Sequence, residues 1–246
     1  YSLRKNFVMN EKILVLGEGL IEKNKLLSNP IYKSKKPGFF YMAHKMSLGQ
    51  DIKNFWDILR GYDIPFTENW SKKLTLKDRF LLGLYWSSPM EKSLEIINIF
   101  IAESMNPGMI SRNKDYIEFS LNFIKSNLES NHEGHGNNHL LSNLAVLAIH
   151  EKWFSNSYIW QKKFFEEINY QFNDDGSNFE GSTSYHFFST ELILISWIFL
   201  QKPTKLEDLL KKALGVCNLL LREDFTIPYI GDNDSGRISK LWVELN

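Results

Sequence analysis

The chain lacks a second cysteine. Cys217 stands alone among 246 residues, which excludes an internal disulfide and any zinc site built on a cysteine cluster. It lies in the apolar run LGVCNLLL, where a small buried side chain is expected rather than a nucleophile. Net charge is missing too. The 29 basic and 29 acidic residues cancel, so no overall field favours nucleic acid, and an anionic ligand must be held by local groups. No apolar run reaches the ~18 residues of a membrane span. The longest, LILISWIFL, reads as a buried helix. No signal peptide is visible, but the chain opens on Tyr1 rather than Met. An upstream segment is therefore expected, and it decides the compartment: periplasmic or secreted with an export signal, cytoplasmic without one.

What is present is core-forming material. A hydrophobic content of 43% with 18 Phe and 7 Trp argues against disorder, and the length suits one large core. Residues 1–45 read as an irregular segment with a short β-like run, KILVLGEG. From Leu48 the period becomes helical, with Ile52, Phe55, Trp56 and Leu59 in LGQDIKNFWDILR, then TLKDRFLLGLYW. SSPMEKSLEIINIFIAES follows, opened by Ser88 as N-cap, Pro89 at the first helical position and Glu91 closing a capping box. Met90, Leu94, Ile97 and Ile101 form its stripe. Further helices are expected in DYIEFSLNFIKSNLE, in NHLLSNLAVLAIHEKW (Leu140, Leu144 and Leu147 on one face), in SNSYIWQKKFFEEINYQF and in STSYHFFSTELILISWIFL. A last one is opened by Thr204 and Glu207 as a second capping box. About eight helices with short connections make an all-α array of antiparallel hairpins over 46–225. Residues 226–246 turn toward short β-like runs and read as the start of another domain that the chain does not complete.

Two polar islands interrupt the pattern, each opening into an apolar helix. The first is NHEGHGNNH, Asn131 to His139; the second is DDGSNFEGSTSYH, Asp174 to His186. At the first, Asn137, Asn138 and His139 lie where backbone N–H groups and the positive end of a helix favour an anion; plain N-capping is the competing reading. At the second, Asp174-Asp175-Gly176 is a turn signal. Glu180 and Ser182 can cap and orient the helix, and Tyr185 falls one turn inside it. His186 points about 100° away from Tyr185 and need not share its target. Tyr185 as a packing aromatic is the competing reading. A metal site at His132, Glu133, His135 and His139 matches no ligand spacing, and GDNDSGR fails as a calcium loop because its Gly is one position early and Val243 stands at the final ligand position. No metal and no cofactor are expected.

WSSPMEKSLEIINIF, NNHLLSNLAVLA, QFNDDGSNFEGSTSYH and IGDNDSGR, in that order over roughly Asp51 to Arg237, resemble the heparinase II/III-like family of polysaccharide lyases, and within it the versions of bacterial surface-polysaccharide gene clusters. The resemblance implies an incomplete α/α toroid followed by an antiparallel β-sandwich, the latter missing here beyond its start. It implies β-elimination on a uronic-acid-containing polysaccharide. In that reaction Asn138 and His139 hold the uronate carboxylate, Tyr185 acts as base, acid or both, and Asn137, Glu180 and His186 support binding. His139 or His186 would lower the Tyr185 pKa or shuttle protons. Phe187 stands where members of the family commonly carry a basic residue. Trp56, Trp86 and Trp153 can stack on sugars, although core packing is the plainer role for each. The alternatives are a glycan-binding protein that keeps the cleft without cleaving, a helical interaction scaffold, and a hydrolase using Asp174, Asp175 and Glu180 as carboxylates.

Overall fold

The computed structural model describes residues 12–14, 20–22, 88–105, 107–223, 226–232 and 238. The two helices expected between Leu48 and Trp86, together with Trp56 and Trp86, lie outside the described residues. Near the N-terminus β1 (Lys12–Leu14) pairs antiparallel with β2 (Leu20–Glu22), Ile13 opposite Ile21. The remaining described elements are helical: α1 (Pro89–Met105), the single turn α2 (Met109–Arg112), α3 (Lys114–Ser126), α4 (Asn138–Phe154), α5 (Ile159–Gln171), α6 (Thr183–Phe199) and α7 (Thr204–Leu220). This is the all-α array of hairpins that the periodicity predicts. The expected β-like runs after residue 226 form no strand among the described residues.

α4 is the central helix. It packs against α1, α3, α5 and α6, which requires an apolar surface on all sides rather than a stripe. Leu140, Leu144 and Leu147 are buried as expected, but so are Leu141, Ala145, Val146, Ala148 and Ile149. α1 departs in the same way: Met90, Leu94 and Ile97 are joined in the core by Ile96, Ile99 and Phe100. In α6, Phe188, Leu192, Ile195 and Phe199 are buried, and Phe187 with them. Cys217 is fully buried. Trp153 is half-buried and donates Nε1–H to the Phe199 carbonyl at 2.7 Å.

The helix starts carry an unexpected device. A helix leaves its first N–H groups without intrahelical partners, and here distant glutamates supply the acceptors. Glu151, late in α4, accepts from the backbone N–H of Ile159, Trp160 and Gln161 at 2.9–3.1 Å, closing the start of α5. These bonds offset the burial of the carboxyl and hold its pKa below the ordinary value. Glu103 does the same for the turn of α2 through Gly108 and Ile110. The expected local box at Thr204 does not form. Pro203 already holds the extended N-cap conformation with φ −62° and ψ 129°, so Thr204 becomes the first helical residue. Glu207 pairs instead with Lys211 at 2.9 Å.

Candidate functional site

Short connections make successive helices antiparallel. Residues 155–158 join α4 to α5, and 200–203 join α6 to α7. The longer segments are the two islands, 127–137 before α4 and 172–182 before α6. Since α4 and α6 run the same way and touch, their starts lie at one end of the array.

The second island is a hairpin before it is a site. Phe172 and Asn178 form an antiparallel bridge, and the turn at Asp174-Asp175-Gly176 is closed by Gly176 N–H on the Asn173 carbonyl at 2.9 Å. Asp175 Oδ1 accepts from both the N–H and the hydroxyl of Ser177. Gly176 is required twice over: its φ is +88°, and a Cβ would meet the α7 backbone at 2.5 Å. The hairpin tip is thereby docked on α7, with Lys212 donating to the Asp174 carbonyl. Asp174 and Asp175 sit at the exposed tip and Glu180 at the base, an arrangement built for a turn rather than for a facing carboxylate pair.

Beyond the hairpin α6 begins. Ser182 is its N-cap, accepting from Tyr185 N–H at 3.1 Å and donating to the Asp232 carbonyl. Thr183 N–H donates to the Ile230 carbonyl at 3.0 Å, and its hydroxyl to Pro228. The IGDNDSGR block therefore starts against the second island, and Gly231 leaves space only for backbone beside Gly181. Tyr185 is half-buried in the first turn of α6. His186 has a different fate. It is 4% exposed; its Nδ1 accepts from Asn178 N–H at 3.3 Å and its Nε2 faces the Ala213 carbonyl at 3.1 Å. Burial lowers its pKa, against the pull of the Ala213 bond. Both ring nitrogens thus have partners within the fold.

The first island is held by α5. Glu167 accepts from Gly136 N–H and faces His135 Nδ1 at 2.9 Å, while Gln171 donates to the Asn137 carbonyl at 2.8 Å. The His135 ring stacks on Tyr170. Asn137 caps α4 through Oδ1 on His139 N–H, so its side chain closes the helix start. A carboxylate of the protein itself lies at that start. Glu180 accepts from Asn138 N–H at 3.0 Å and from its Nδ2 at 2.9 Å. Glu180 thus bridges the two islands. His139 Nδ1 lies 2.8 Å from Glu129, whose other oxygen accepts from Met90 N–H at 2.7 Å and from Asn143. Glu129 was not legible as a site residue; no motif surrounds it. Three helix starts, of α1, α4 and α6, are joined through two carboxylates.

No family model matches the chain, and no curated protein does. Among solved structures, the heparan sulfate lyase HepC of Pedobacter heparinus is similar in part of its fold, with a TM-score of 0.46 at 13% identity over 92% of this chain. The chain spans 38% of the length of that protein.

The electrostatics follow from burial among carboxylates. Glu91, 6% exposed, is pushed up to about 7, chiefly by burial, with Glu95 and Glu129 adding to it against Lys92 and His139. Burial works against a charged His139, but the bond and charge of Glu129, then Glu180 and Glu91, hold its pKa above the ordinary value. Burial also raises Glu180, partly offset by its Asn138 bonds. A carboxyl raised in the folded state binds its proton more tightly there than in the unfolded chain. The Glu91 contribution to stability is therefore complete below about pH 4.5 and is lost as pH rises through about 7. The span corresponds to about 3 kcal/mol. Glu91→Gln is expected to remove that slope, so that its urea midpoint exceeds the parent's at pH 8 and approaches it at pH 4.5. Equal midpoints at pH 8 would refute a buried, proton-bound Glu91.

Proposed function

We propose that this chain carries the helical part of a polysaccharide lyase that cleaves a uronate-containing polymer by β-elimination. The supporting observation is the Glu180 bridge. It ties the island that leads into Tyr185 to the first residue of the helix bearing Asn138 and His139, the residues for which the motif resemblance implies this chemistry. Elimination needs negative charge on the uronate carboxylate to be stabilised, the proton beside it removed and the leaving oxygen protonated. His139 is the group suited to the carboxylate, with Asn138 beside it, and Tyr185 is the proton carrier. The upward shifts at His139 and Glu91 serve this reading, since each favours the protonated group and so lessens the repulsion that carboxylates here present to an anionic sugar.

The same carboxylates favour one competing reading, glycan handling without cleavage, because Glu180 occupies the amide of Asn138. Full-length protein incubated with alginate and with heparan sulfate separates the two. A lyase releases chain ends whose conjugated double bond absorbs in the ultraviolet, and Asn138→Ala lowers that rate by about 10²-fold or more. Binding of both polymers with no new absorbance would leave the handling protein standing.

A further inference from the structure

We propose that Glu129 is a positioning residue of this site: by pairing with Nδ1 of His139 it fixes the ring's orientation and keeps its proton on that nitrogen, so that Nε2 is the nitrogen offered to a ligand. The catalytic meaning of this pairing rests on the lyase reading; the pairing itself does not. Three observations carry it. The Glu129 Oε1 to His139 Nδ1 distance is 2.8 Å, that of a charge-assisted bond. Glu129 is itself held at both ends of the carboxylate and at its backbone. Oε2 accepts from Met90 N–H and from Asn143 Nδ2, and Glu129 N–H donates to Asn143 Oδ1 at 3.1 Å. Asn143 lies one turn beyond His139 on α4 and is fully buried, and its amide reaches Ser93 on α1. The carboxylate that orients the ring is therefore fixed by two helices that do not carry it.

A histidine held this way has its tautomer set by its partner. Unpaired, a neutral imidazole divides its proton between the two nitrogens. Paired with a carboxylate it carries the proton on Nδ1 and, when charged, donates through both. A charged ring with Nε2–H directed at a uronate would place a full positive charge where the elimination accumulates negative charge. Glu91 from α1 and Glu180 from the second island also face His139, so removal of Glu129 alone leaves a smaller and less directed field. Glu129 lies ten residues before His139, in the segment between α3 and α4.

The test uses full-length protein with labelled histidine, followed by NMR of the His139 ring, and initial rates on alginate and heparan sulfate across pH. In the parent, the neutral ring is expected as the Nδ1–H tautomer. In Glu129→Gln the titration midpoint of His139 is expected to fall by about 1–3 units, with the tautomer reversed because the amide now donates to Nδ1. The basic limb of the kcat/KM profile is expected to move by the same amount while KM for the polymer rises. Glu129→Asp, which keeps the charge, restores the direction of both. An Nε2–H tautomer in the parent overturns the proposal with no variant needed, and so does an unmoved titration in a folded Glu129→Gln. Shifted titrations with no turnover in any form uphold the pairing and overturn the lyase reading instead.

Discussion

Tyr185→Phe is expected to lower kcat on the cleaved polymer by about 10²–10⁴-fold, the range over which a positioned acid or base accelerates a reaction. The substitution removes one oxygen and leaves the ring. The first turn of α6 is set by bonds that do not involve the phenol: Ser182 caps it through Tyr185 N–H, and Thr183 is tied to Ile230 and Pro228. The neighbouring Phe187 and Phe188 stay in the core. Circular dichroism should therefore stay near that of the parent while the absorbance of new chain ends nearly vanishes. A free phenol titrates near 10, so a tyrosine that removes a proton near neutrality needs a positive partner, and the Glu129 carboxylate favours the charged form of His139 at the same end of the array. Parent-like rates in Tyr185→Phe would remove tyrosine from the mechanism altogether.

Glu180→Ala should have the second large effect, and on two quantities at once. Asn138 is 4% exposed, and both its N–H and its Nδ2 depend on this carboxylate. Removing the acceptor leaves buried donors unsatisfied, at about 1–3 kcal/mol for each such group, and takes a favourable negative charge from the start of α4. A loss of about 3 kcal/mol in urea denaturation is expected, and with it loss of turnover, since the two islands are no longer joined. Glu180→Gln keeps one acceptor and should recover a good part of the stability. An alanine variant as stable and as active as the parent would mean that the islands need no brace.

Much of this was legible from local pattern. The helices α1 and α3 to α6 follow from apolar spacing, the Asp-Gly turn from its residues, and the caps Asn137 and Ser182 from their place before apolar runs. What escaped was long-range. Helical spacing shows that a surface is apolar but not how many neighbours cover it, so the all-round burial of α4 and α1 was read as single stripes. Thr204 and Glu207 have the composition of a capping box, but the backbone of Pro203 starts the helix one residue too early for it. The pairing of His186 with Asn178 and Ala213 spans eight and twenty-seven residues and has no local pattern. Glu129 has no local signature, because what it does depends on Met90, thirty-nine residues away, and on His139.

The glutamate caps also set an order on synthesis. Glu151 precedes the helix it closes, so α5 can be completed as soon as it leaves the ribosome. The starts of α1 and α4 are closed from downstream, by Glu129 and Glu180 respectively. Until a further 39 or 42 residues have been made, each start has only its local cap, Ser88 or Asn137. A nascent chain halted before Glu180 would hold α4 on the Asn137 cap, with the two Asn138 donors still without this carboxylate. The last of these carboxylates to be made is the one that draws the two islands together, and the helix bearing Tyr185 follows it.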